Sequence, residues 1–159
     1  MPDPLNPSAR NRLATQYETL FFLTDGLGVG QLSWSPAPGK WSIHENLAHL
    51  GRYQQVFADR LHRVLSEEDP AFERYRAEDD PGFKSWVERS NSKILAAIRE
   101  QRVDLIGQVN ALSPRQFSQS GNHPKLGKMP VALWVEFFLL HEAHHLYTIF
   151  WIRQTQLPG

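Results

Sequence analysis

The stretch HEAHHLYTIF, residues 141–150, places three of the chain's seven histidines within five positions. His141 and His145 stand at i and i+4, so in a helix both imidazoles leave one face about a turn apart. Two ring nitrogens so placed can reach one metal ion at the roughly 2.0–2.1 Å of zinc–imidazole bonds. His141-Glu142-Ala143-His144-His145 also spells the HExxH signature of zinc proteases. Proteases of that type take their third ligand downstream of the motif. The residues after His145, LYTIFWIRQTQLPG, offer no His, Asp or Glu. The match is therefore expected to be fortuitous as a protease signature, and a third ligand is expected from upstream.

Four upstream histidines compete for that place: His44, His49, His62 and His123. His49 stands out because it lies a full turn inside an apolar helical segment, with Glu45 and Tyr53 four residues to either side on one face. His44 reads as a helix-end residue and His62 as peripheral, while His123 falls in a connection. The competing metal-free reading is that the histidines are core residues, each satisfied by an ordinary hydrogen-bond partner.

The segments that must position these groups are helical. The first runs from about Ser8 to Leu23, with Leu13, Tyr17 and Leu20 on one face. The second starts at Ser42, where Ser42-Ile43-His44-Glu45 fits a capping box, and runs to about Leu65. The third begins at Asp80-Pro81, an N-cap followed by proline in the first turn, and carries Trp86, Ile94, Ile98, Leu105 and Leu112. The fourth begins at Pro130. There Trp134, Phe138, His141, His145, Thr148 and Ile152 step by 4, 3, 4, 3 and 4 and predict one inward-facing seam. No segment alternates as a strand of useful length would. The expectation is a single all-α domain over residues 1–159, folded as a four-helix bundle.

Composition narrows the function. Lys plus Arg and Asp plus Glu both total 17, giving zero formal net charge at pH 7, so the clustered cation excess that nucleic-acid binding leans on is missing. Cysteine is absent, which removes disulfides, thiolate ligands and a cysteine nucleophile. The opening MPDPLNPSARNR lacks the apolar run of a secretory signal, and Glu136, Glu142 and the histidines interrupt the most apolar segment. A cytoplasmic chain without a membrane span is expected.

Two blocks resemble a known family. GKWSIHENLAHL (39–50) and HPKLGKMPVALWVEFFLLHEAHHLYTI (123–149) are similar to the paired blocks of the DinB-like superfamily, including its YfiT branch of metal-dependent hydrolases and thiol transferases. Carried over by position, the resemblance implies His49, His141 and His145 as the ligands of a divalent ion, zinc or nickel. It further implies an open coordination position, a small-molecule substrate such as a low-molecular-weight thiol, and a homodimer. The likeness departs after the last ligand: many relatives carry Arg-Gly-Gln or a nearby Gln there, and this chain has Leu146-Tyr147-Thr148.

For the chemistry, Glu45 and Glu142 are the candidate proton-handling groups, although Glu45 has an alternative role in the capping box. Glu142 lies about 100° around the helix from His141 and is expected at the seam edge or in solvent. Tyr53, Trp134 and Thr148 are the candidate substrate-facing residues, with Trp41 and Tyr147 as further aromatics. His144 is a candidate partner of the ligand shell. The alternative to an enzyme is a non-catalytic bundle, stabilised by its metal, that serves a stress response or an interaction.

Overall fold

The structure is a computed structural model, and it describes residues 4–158. Asn6 opens the first helix, accepting from the Ala9 amide, and Pro7 follows at the first turn. Helix α1 (Pro7–Thr15) passes through a 3-10 turn at Gln16–Glu18 into α2 (Thr19–Thr24). The short α3 (Val29–Leu32) then leads to α4 (Ile43–Ser66). Helix α5 (Pro81–Val87) and α6 (Asn91–Asn110) follow, then α7 (Pro114–Phe117), the strands β1 (Ser120–His123) and β2 (Gly127–Pro130), and α8 (Val131–Thr155). The long bundle members are α1–α2, α4, α6 and α8, and the fold is a four-helix bundle as expected. Among the described residues no helix is long and apolar enough to cross a membrane.

The structure departs from the expectation in three details. The first helix is not continuous, because α1 packs Ala9 and Leu13, with Leu5 just before it, into one core cluster while Tyr17, Leu20 and Leu23 belong to another. The 3-10 turn falls where the chain crosses between the two. The third helix is also broken. Asp80 caps α5 through the Gly82 amide, with Pro81 at the first turn as expected, but Ser90 caps a new helix by accepting from the Lys93 amide. Separating α5 lets Trp86 lie flat on α4 at Gly51, where a Cβ would run into the indole ring. The third difference is a short antiparallel hairpin, in register Ser120↔Pro130 to His123↔Gly127. Its four-residue strands are too short to show an alternating pattern. Gly127 takes φ +73°, and His123 Nδ1 accepts from the Lys125 and Leu126 amides, both at 3.1 Å, to hold the turn.

The two core clusters are separated by a polar layer. On every long helix the apolar run is interrupted at matching height: Gln16 after Leu13, His49 and Gln54 around Leu50, Arg102 between Ile98 and Leu105, and His141 to His145 between Leu139 and Leu146. One side of this layer is an ion-paired network. Arg102, fully buried, pairs with Glu142, donates to Gln54 Oε1 at 2.6 Å and to the Leu13 carbonyl at 3.2 Å. Gln16 donates to the other Glu142 oxygen at 2.9 Å. The histidines occupy the other side.

Candidate metal centre

Helix α4 delivers His49, and α8 delivers His141 and His145. The local reason for α4 is the predicted capping box. The Glu45 amide donates to Ser42 Oγ at 3.1 Å and the Ser42 amide donates to Glu45 Oε2 at 2.8 Å. That reciprocal pair fixes the first turn and hence the rotation that points His49 at α8.

The three histidines each bring a ring nitrogen to one point, all within 4.8 Å of one another. His49 Nε2 and His141 Nε2 face each other at 3.0 Å. Nitrogens bound tetrahedrally to one zinc ion stand roughly 3.3 Å apart, inside the range the trio spans. Burial pushes the His49 pKa down to about 4. Burial, then repulsion from the neighbouring histidines, pushes His141 to about 3 and His145 to about 2. All three are thus neutral at pH 7, the state in which imidazole has a lone pair to give.

Asn46 settles which nitrogen His145 offers. The Asn46 amide nitrogen donates to the Ser42 carbonyl at 2.8 Å, so its Oδ1 is the atom 2.8 Å from His145 Nδ1. An oxygen acceptor there requires Nδ1–H and leaves Nε2 with the lone pair. Such an outer partner orients a ligand and fixes its tautomer. The donor set therefore fits a divalent ion that accepts three imidazoles.

Two clefts meet at His145. One, about 630 Å³, is lined by His49, His141 and His145 together with Tyr53, Tyr75 and Arg60. The other, about 660 Å³ and more apolar, runs along Pro36, Trp41, His145, Thr148 and Trp151. Trp41 stands between them, its ring centre 5.0 Å from His49 and 6.0 Å from His145. Tyr53 lies against His141 with ring centres 3.9 Å apart.

The remaining sequence candidates separate. Tyr53 and Thr148 line the clefts, Thr148 with its hydroxyl donating to the His144 carbonyl. Trp134 does not: it is buried against Phe72 and Phe137 and lines neither cleft. Glu45 is engaged in the cap. Glu142 is a correction, because it is neither at the seam edge nor in solvent but buried and paired with Arg102. The predicted seam splits past Phe138. Leu139, Glu142, Leu146, Ile149 and Ile152 take the core side, and His141, His145 and Thr148 turn toward the clefts. His44 bonds Asn91 and the Val87 carbonyl, His62 is exposed, His144 packs edge-on to His145, and His123 lines the polar cleft.

Sequence reasoning passed over Asn46 and Arg60. Asn46 lies one turn before His49. Arg60 lies seven residues after Tyr53, two turns along the same face, and that spacing was the available signal.

YfiT from Bacillus subtilis, described as a probable metal-dependent hydrolase with an unusual four-helix bundle topology, superposes with TM-score 0.73 at 21% identity, over 89% of this chain and 82% of that one. TT2238, described as a four-helix bundle protein, gives 0.65 at 21% identity, over 89% and 95%. The DinB-like protein YjoA from Bacillus subtilis gives 0.62 at 15% identity, over 96% of each chain. No curated protein matches the chain. The family model of the DinB superfamily matches residues 12–149, nearly the whole bundle with both histidine-bearing helices, and the chain belongs to that superfamily.

Proposed function

We propose that this chain is a metal-dependent enzyme in which His49, His141 and His145 hold a divalent ion, zinc or nickel, and leave a coordination position open to the clefts. The observation that carries this reading is the convergence of three neutral imidazoles from two helices at the floor of an accessible cleft. Three neutral ligands with an open side is the pattern of catalytic rather than structural zinc sites. A divalent ion held by these three histidines would supply Lewis acidity, which would make water or a thiol a nucleophile near neutral pH. Hydrolysis and thiol S-transfer share that requirement, and the description of YfiT as a probable metal-dependent hydrolase supports the first.

The chain's own residues do the rest. Asn46 holds His145 in the tautomer that presents Nε2. Burial holds the Tyr53 phenol above its ordinary range, although Arg60 opposes this, so Tyr53 stays protonated and can donate a hydrogen bond to a substrate over His141. With Glu45 and Glu142 both committed elsewhere, Tyr53 is the group best placed for that contact. Trp41 forms an apolar wall that limits water on the side of the second cleft.

The test is elemental analysis of tag-free protein beside His49→Ala and His145→Ala, followed by assays with activated esters and with thiol–electrophile pairs. About one divalent ion per chain, lost in both variants together with turnover, is the expected result. No bound ion after reconstitution with zinc, nickel or manganese refutes the proposal. Metal-dependent melting with no turnover in either assay would favour a metal-stabilised, non-catalytic bundle.

A further inference from the structure

Arg60 is an anomaly among the buried cations. Arg102, the other buried arginine, is neutralised by Glu142, and the partly exposed Arg52 by Asp80 at 2.7 Å. Arg60 is only 8% exposed, yet among the described residues no carboxylate lies within ion-pair distance of it. Its Nη2 donates to the Glu73 carbonyl at 2.9 Å. Its guanidinium lies 5.5 Å from the Phe72 ring centre and 5.9 Å from that of Trp134. One neutral acceptor and two ring faces leave most of a five-donor group unused. A buried charge without a counter-ion is costly, and Arg60 faces the cleft that holds the histidines.

Its companions there have the same sign. Arg74 and Lys125 line the cleft. Arg76 also lines it but is paired with Asp79. Glu78 is the carboxylate of the lining and forms no ion pair with Arg60. The chain as a whole carries no net charge, so this concentration of cations is local to the cleft.

We propose that Arg60 is the anion anchor of this cleft, gripping a carboxylate or phosphoryl group of the substrate while the reactive part of that substrate reaches the histidines. The proposal rests on the reading of the cleft as a substrate site and adds its chemical class. Arg60 and His49 are eleven residues apart on one helix, about 16 Å along its axis. The arginine side chain leans back toward the helix N-terminus and shortens that gap. The substrate is therefore an elongated anion, with its charge several bonds from the reacting atom. A planar guanidinium suits both anion types because it offers paired parallel donors.

The experiment titrates succinate and inorganic phosphate, by calorimetry, into metal-free and zinc-reconstituted protein, for the parent, Arg60→Met and Arg60→Lys. At least one anion should bind the metal-free parent. Arg60→Met should weaken that binding by about tenfold or more, and Arg60→Lys by less. Preference for succinate assigns a carboxylate, and preference for phosphate a phosphoryl group. Binding that Arg60→Met leaves unchanged, or that requires zinc and ignores Arg60, overturns the proposal, as does a parent that binds neither anion. Should Arg60→Met fail to fold, arginine-selective modification of the parent by phenylglyoxal, mapped by peptide mass, gives the same decision. Protection of Arg60 by either anion supports the anchor, and equal labelling with and without both refutes it. Zinc content is measured in parallel. Zinc without anion binding removes the anchor alone, and anion binding without zinc removes the metal reading alone.

Discussion

Replacing Glu142 by glutamine separates its two assignable roles. In a zinc protease the glutamate of HExxH handles the proton, and loss of its charge would leave the fold intact while abolishing turnover. Here the carboxylate is 3% exposed and its partner Arg102 is 0% exposed. Both oxygens are used, one by Arg102 and the other by Gln16 at 2.9 Å. Glu142→Gln therefore leaves a buried guanidinium without its counter-charge, and breaking a buried pair from one side costs about 3–5 kcal/mol. For a chain of this length each kcal/mol moves the melting temperature by about 2–4 °C, so the fall is roughly 6–20 °C. The double variant Arg102→Met/Glu142→Leu should recover much of it, because an apolar pair of similar volume removes the stranded charge. Recovery will be incomplete, since Gln16 and Gln54 each lose a partner. Thermal melting, urea denaturation and zinc content are read together. A Glu142→Gln variant that melts like the parent, keeps its metal and loses turnover would refute the structural assignment.

Three further outcomes are expected. Asn46→Ala should weaken zinc binding by about 10–100-fold in a chelator competition, the usual cost of losing an outer partner of a ligand histidine, whereas Asn46→Asp, which keeps the acceptor for His145 but loses the donor to the Ser42 carbonyl, should weaken it by less. The metal-free chain should lose stability below about pH 6.5. His49, His141 and His145 have folded pKa values of about 4, 3 and 2 against 6.5 unfolded. The unfolded chain then binds more protons as pH falls, and each such histidine costs up to about 1.4 kcal/mol per pH unit until about pH 4, where folded His49 also begins to protonate. Urea midpoints flat from pH 6.5 to 5 would contradict the burial argument. Gly51→Ala should destabilise by about 1–3 kcal/mol in thermal melts, because the added methyl meets Trp86 and overpacking outweighs the usual helical gain of alanine.

What the sequence alone decided was local. Ser42 and Glu45 start α4 through contacts three residues apart, Asp80 and Pro81 start α5 within one turn, and His141 and His145 share a face because a helix repeats every 3.6 residues. Each signal needs only neighbours along the chain. The meeting of His49 with the pair on α8 was also legible, since a histidine inside an apolar helix requires a partner across the core.

Tertiary packing decided the rest. Helix α8 is apolar on nearly every face, with Leu133, Leu140, Tyr147, Phe150 and Trp151 exposed, so periodicity could not say which side turns inward. In the fold Glu142 faces the core, where Arg102 from α6 pairs with it, and His141 and His145 face the clefts. The break between α5 and α6 depends on the seat that Gly51 leaves for Trp86. The seven-residue spacing from Tyr53 puts Arg60 on the cleft face, but that no carboxylate among the described residues pairs with it is a fact about three-dimensional neighbours that spacing does not encode.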